Sequence, residues 1–186
     1  VKKVYLWKNL QIGFYKERRG YMEEKFKSDY FYYRLYGDYA LFTDPVTKGG
    51  GEKFTYQIPT YQALKGITEQ IYWKPSLLYY IDSVKVVKKI QTETKGIRTP
   101  LKNGNNDLNY YTYLRNVEYL VQFHFEWNEN RPELSDDWNE IKHEQIILRS
   151  MSKGGRRDIF LGTRECIGYI ERLRKEQFEA ASTYYN

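Results

Sequence analysis

Residues 117–127 read VEYLVQFHFEW. Val117, Tyr119, Val121, Phe123, Phe125 and Trp127 take the odd positions, while Glu118, Gln122, His124 and Glu126 alternate with them. A period of two describes a strand with one buried face and one more polar face. His124 lies on the polar face and reads as a surface or sheet-face residue, not a catalytic one.

Working upstream, KGIRTPLKNGNNDL (95–108) is rich in Gly, Asn and Asp and reads as a loop. SLLYYIDSVKVVKKI (76–90) before it is a strand, apolar at first and alternating later. Ala63, Leu64, Ile67 and Ile71 recur at the spacing of one helical face, so a helix is predicted from Pro59 to about Tyr72, ended by Pro75. YFYYRLYGDYALF (30–42) is dense in β-formers and reads as a first strand, with Gly37-Asp38 as a break. The Gly49-Gly50-Gly51 run lacks the GxxxxGK[ST] pattern of a phosphate-binding loop and leads into a short extended segment.

Downstream, Leu134-Ser135-Asp136-Asp137 looks like a helix start, with Ser135 as N-cap and acids in the first turn. Ile141, Ile147, Leu148 and Met151 form the apolar side, and Gly154-Gly155 ends the helix as a left-handed C-cap. RDIFLGTRECIGYIE (157–171) reads as a fourth long strand, followed by a tail of weak helical character. The order is β-α-β-β-α-β: an α+β, ferredoxin-like unit of the kind RNA-recognition domains use. Two helices on one face leave the other face of the sheet open, and Tyr30, Tyr32 and Tyr36 share one side of the first strand. That suits base stacking and partner packing equally, and the topology alone settles no function. Trp73 and Trp138 read as core or edge packing.

A chain of 186 residues suggests one domain. The formal charge of +6 is concentrated in residues 1–27, with eight Lys/Arg against three Asp/Glu, leaving the rest near +1. Global charge therefore says little about nucleic acid, and local clusters decide. The single cysteine, Cys166, excludes an intramolecular disulfide framework, and two histidines without HExxH-like spacing give poor support to a zinc centre. No apolar run approaches the ~18 residues of a membrane span and no signal-peptide pattern stands out, so a reduced cytoplasmic setting is expected.

One local cluster stands out. Between residues 142 and 175 nine Lys/Arg face four Asp/Glu, with Lys142 and His143 side by side at its head. A proton-transferring group beside a run of cations suits the holding and breaking of a phosphodiester. A solvated helix with a glycine cap accounts for the same letters, and Arg156-Arg157 beside a helix C-terminus also fit simple dipole compensation.

GDYALFTDP (37–45), KGGGEKFTY (48–56), PTYQALKGI (59–67), IYWKP (71–75), HFEWNENRPEL (124–134), KHEQIILRS (142–150) and KGGRRDIFLGTRECIGY (153–169) occur in this order. Together they resemble the CRISPR-associated Cas-five family of subtype I-C, over roughly Tyr30 to Tyr185. The resemblance implies a ferredoxin-like endoribonuclease that cleaves the repeat hairpin of precursor CRISPR RNA (pre-crRNA) without metal or other cofactor. It implies that the protein then stays on the crRNA 5′ handle, beside the backbone and large subunits of a type I-C surveillance complex. A non-catalytic handle-binding subunit is the alternative. The family's tyrosine, lysine and histidine fall on Tyr72, Lys142 and His143, with either His143 or Tyr72 as general base; Arg149, Lys153, Arg156, Arg157 and Arg164 are the candidate RNA-binding residues. Scission by the ribose 2′-OH would leave a 5′-OH and a 2′,3′-cyclic phosphate. The expected organisation is a basic extension (1–27), a ferredoxin-like RNA-binding domain (28–175) and the start of a C-terminal β region cut short (176–186).

Overall fold

The computed structural model describes residues 25–49, 51–102 and 104–185, together with the backbone of 5–6. The basic segment expected over residues 1–27 lies outside the described residues up to residue 24, apart from Tyr5–Leu6, a two-residue strand (β1). The further elements are β2 (Phe31–Ala40), β3 (Glu52–Phe54), α1 (Tyr61–Ile71), β4 (Leu77–Val86), β5 (Thr92–Pro100), β6 (Asn106–Trp127), α2 (Glu140–Ser152), β7 (Ile159–Phe160), β8 (Ile167–Leu173) and α3 (Lys175–Ala180). No described helix is long and apolar enough to cross a membrane.

β6 is the spine, and it is twice as long as its alternation announces, at 22 residues. One of its edges carries β4 and then β5, and the other carries β2 and then β3. The switch occurs near Asn116, which adopts a positive φ of 50° and whose side-chain oxygen accepts from Lys88 Nζ at 2.7 Å. The strand order is β1-β4-β6-β2-β8-β7, and β4, β6, β2 and β8 are antiparallel throughout. The result is a curled mixed α/β assembly.

The odd residues of β6 from Val117 to Phe125 are all buried, as their alternation predicts, and they pack with Tyr33 and Leu35 of β2. Leu64, Ile67 and Ile71 of α1 and Ile147 and Met151 of α2 complete this core. Burial of such side chains contributes ~1.5–3 kcal/mol each, which fixes the two helices on the sheet. The helix ends follow local chemistry. Thr60 caps α1 by accepting from Ala63 N, and Asn139 caps α2 by accepting from Lys142 N. Gly154 and Gly155, at φ of 81° and 101°, stop α2 with their N–H groups on Met151 O and Ser150 O.

Four expectations change. The helix start expected at Ser135 is a separate 3₁₀ turn, Pro132–Asp137, and the helix begins after Asn139. Residues 95–108 are mostly a β-hairpin, not a loop: β5 pairs along β6 from Thr92↔Leu114 to Pro100↔Asn106. No residue of β5 is buried, so the arm carries no apolar stripe to announce a strand. Residues 157–171 are not one strand but β7, a tight turn and β8. In that turn Gly162 has φ 96°, and a Cβ there would meet Leu41 O at 2.1 Å, so only glycine fits. The far face of the sheet is partly covered, since Phe178 of α3 packs on Tyr32 and Leu120 and makes a second small core.

Candidate active site and nucleic-acid interface

The end of α1 and the start of α2 bring the predicted trio to one place. Tyr72 follows α1 directly, with its backbone turned to extended geometry at the C-cap. Its hydroxyl lies 3.0 Å from His143 Nδ1. On the other side of the ring, His143 Nε2 is 2.7 Å from the backbone carbonyl of Asp137. A carbonyl only accepts, so Nε2 carries the proton, Nδ1 presents its lone pair and Tyr72 O–H donates to it. Tyr72 and His143 are 1% and 0% exposed, and Phe125 and Trp127 meet the imidazole edge-on. Burial is the largest influence on both groups. It lowers the His143 pKa below its ordinary value, against the opposing pull of the Asp137 carbonyl and carboxylate, and it raises that of Tyr72.

Lys142, the third member, points outward with its side chain 47% exposed and its ammonium bound to Asp137 Oδ1. Asp137 Oδ2 accepts from Ser76 Oγ at 2.8 Å and stands 3.6 Å from His143 Nε2. The Lys142 hydrogen bond, helped by Ser76, holds the Asp137 carboxyl below its ordinary pKa. Asp137 thus touches two of the trio, by carboxylate and by carbonyl. In the sequence Asp137 stands only as one of the acids at an expected helix start. Ser76 had no assigned role either, and no spacing signal would have found it.

The five cations expected to bind RNA divide. Lys153, Arg156 and Arg157 line one groove of about 540 Å³ with Tyr36 and Tyr169. Arg149 lies exposed on α2 and Arg164 in the turn before β8, and neither lines that groove. Arg156 joins groove and buried dyad: its guanidinium lies 4.6 Å over the Tyr72 ring, its Nε donates to Ser150 Oγ at 3.2 Å, and its N–H reaches Gln70 O. Arg34, Lys88, Arg115 and Lys142 are paired with carboxylates. Among the described residues, Lys153, Arg156 and Arg157 are not.

His124 is on the far sheet face as expected, but it is buried at 6% exposure. Its Nδ1 lies 2.6 Å from Asp82 Oδ2, its Nε2 3.5 Å from Glu126 Oε1, and Tyr80 stacks on its ring. Trp138 stacks on Trp127 at 6.0 Å, whereas Trp73 is 51% exposed and not packed as expected. Among the described residues no three His, Cys, Asp or Glu side chains gather as a metal site.

Several known proteins are similar to this chain in sequence and in fold. The sequence profile of the family described as CRISPR-associated protein (Cas_Cas5) matches residues 31–186. A CRISPR pre-crRNA endoribonuclease Cas5d from Mannheimia succiniciproducens is 40% identical over 60 residues, which is 32% of this chain and 26% of the relative. The Cas5d of the same description from Thermus thermophilus is 27% identical over 148 residues, 74% of this chain. The chain spans 61% of the length of that relative. A crystal structure described as a CRISPR-associated protein superposes with a TM-score of 0.78 at 43% identity, covering 88% of this chain and 76% of the other. A functionally uncharacterized protein of Streptococcus mutans, SMU1763c, gives 0.75 at 48% identity over the same shares.

Proposed function

Because the chain belongs to the Cas5d family of CRISPR-associated proteins, we propose that it cleaves the repeat hairpin of pre-crRNA and remains on the crRNA 5′ handle. Its partners are then the backbone and large subunits of a type I-C surveillance complex. The observation that carries this reading is the Tyr72–His143 hydrogen bond, with its tautomer fixed by the Asp137 carbonyl, beside a groove lined by Lys153, Arg156 and Arg157. The antiparallel order β4-β6-β2-β8, with α1 and α2 sharing one core, supports the ferredoxin-like assignment of the unit that holds it.

In this mechanism the ribose 2′ oxygen bonds to the adjacent phosphorus while the P–O5′ bond breaks. The 2′ proton passes to the Tyr72 oxygen as the Tyr72 proton moves to His143 Nδ1, whose lone pair already receives it. The Asp137 carbonyl steadies the imidazolium that results. Lys142 and Arg156 face the phosphorane charge. The departing 5′ oxygen takes a proton from water on the exposed Lys142 side, leaving a 5′-OH and a 2′,3′-cyclic phosphate. The Asp137 carboxylate takes the place on the Lys142 ammonium that a phosphate oxygen would need, so substrate must displace it there.

The full burial of His143 favours a second reading, a non-catalytic subunit that only holds the handle. The two separate by incubating the protein with its repeat RNA in excess chelator. A single cut, blocked by one 2′-deoxy substitution just 5′ of the cut with binding intact, is the expected result. Normal scission of the deoxy substrate, or a requirement for magnesium, removes the 2′-OH mechanism.

A further inference from the structure

The groove beside the Gly154-Gly155 turn has an aromatic wall that the cleavage mechanism does not use. Tyr36 of β2 and Tyr169 of β8 are cross-strand partners, with ring centroids 5.6 Å apart at 32°. Tyr36 is fixed from two sides: the Arg34 guanidinium lies 4.5 Å over its ring and its hydroxyl donates to Glu171 at 3.0 Å. Arg34 is itself held by Glu118 and Glu171. Tyr169 is the outer member of this ladder and remains 55% exposed. An aromatic ring this open, backed by a braced neighbour, is ready to accept another flat group with little ordering cost.

What borders it selects the flat group. Lys153, Arg156 and Arg157 lie along the same groove without carboxylate partners among the described residues, and Asp158 is the acid in its wall. Cations that track a backbone next to a ring that stacks are the two components of single-strand recognition. A duplex hides its base faces, so the ring can be used only by an unpaired nucleotide.

We propose that Tyr169, backed by Tyr36, is a stacking platform for one unpaired RNA base whose flanking phosphates lie against Lys153 and Arg157. The proposal rests on the RNA-binding part of the function above and adds that the strand crossing this groove is single-stranded. The platform is ring chemistry and the cations are charge chemistry, so the two leave different signatures.

Binding of a 12-nucleotide single-stranded RNA of mixed sequence, titrated at several salt concentrations, tests it. Tyr169→Ala weakens binding about tenfold with the salt slope unchanged, as for loss of one base–aromatic stack. Tyr169→Phe restores wild-type affinity, because only the ring is needed. Arg157→Ala instead flattens the slope by about 0.7, one phosphate contact on a single strand. A blunt RNA duplex binds Tyr169→Ala and wild type alike. Wild-type affinity of Tyr169→Ala for the single strand, or an equal loss for the duplex, overturns the platform while the RNA reading stands. Failure of the wild type to bind the single strand overturns both.

Discussion

The two histidines are both buried and both have a polar neighbour at each ring nitrogen, yet they are built for opposite ends. His124 stands between Asp82 and Glu126, with Tyr80 stacked on its ring. Its nitrogens are occupied by carboxylates from β4 and β6, so it ties two strands together. His143 stands between a phenol and a backbone carbonyl, with the Asp137 carboxylate farther off at 3.6 Å. There Nδ1 keeps a lone pair aimed at a transferable proton. Burial is common to the two, so the chemistry of the partners makes one histidine an anchor and the other a candidate base.

The largest test of this contrast is a pair of alanine variants. His143→Ala is expected to slow repeat cleavage 10²–10⁴-fold, the span for a lost proton-transfer group, with RNA affinity retained. His124→Ala should leave the cleavage rate within about threefold while costing roughly 1–3 kcal/mol in urea unfolding, because Asp82 and Glu126 lose their partner. Exchange of these two outcomes would assign the roles the other way round.

Tyr72→Phe comes next, at roughly 10–10²-fold in single-turnover rate. The double variant Tyr72→Phe/His143→Ala should then be no slower than His143→Ala alone, since residues acting as one relay are not additive. Fully multiplicative losses would separate the hydroxyl from the imidazole.

Asp137→Asn sharpens the comparison from the carboxylate side. It keeps the carbonyl that fixes the His143 tautomer but frees Lys142, so RNA affinity should rise and the salt slope steepen by about 0.7–0.9. An unchanged slope means that Lys142 does not meet phosphate.

The smallest effect is in the pH dependence of stability. Burial places the folded pKa of His143 below the ordinary imidazole value of 6.5, so below that pH the unfolded chain binds a proton that the folded one refuses. The stability associated with the neutral ring is therefore fully present above about pH 6.5 and lost as pH falls toward the folded pKa. Urea midpoints between pH 5 and 8 should show a rise with pH that His143→Gln flattens. A slope that survives in His143→Gln belongs to other groups.

Legibility followed burial. Residues 117–127 announced themselves because one face is in the core, and the same physics revealed α1, β4 and the Ile147–Met151 side of α2, whereas Ile141, expected on that side, is 71% exposed. The arm formed by β5 and the first half of β6 did not, because it has no apolar face to set a period. The Tyr72–His143 contact joins residues 71 apart in sequence, and no spacing rule links them; only the family resemblance paired them. Asp137 was hidden for a different reason. Its key bond to His143 is made by a backbone carbonyl, which every residue possesses, and its position depends on a 3₁₀ turn that the sequence presented as a helix start.

The length of β6 also sets an order in time. At about 3.3 Å per residue its 22 residues form a strand of roughly 70 Å, and its neighbours come from very different distances along the chain. Pro100 and its partner Asn106 are near neighbours in sequence, whereas Phe31 must find Phe123. Local closure is fast and long-range closure slow, so the polar hairpin is expected to zip before the apolar half acquires its partners. A hairpin alone is marginal in water, so the early structure opens and recloses until β4 and β2 dock. When they do, they inherit a register already templated on the same backbone, where a slip of one residue would turn Tyr119 and Val121 away from the core.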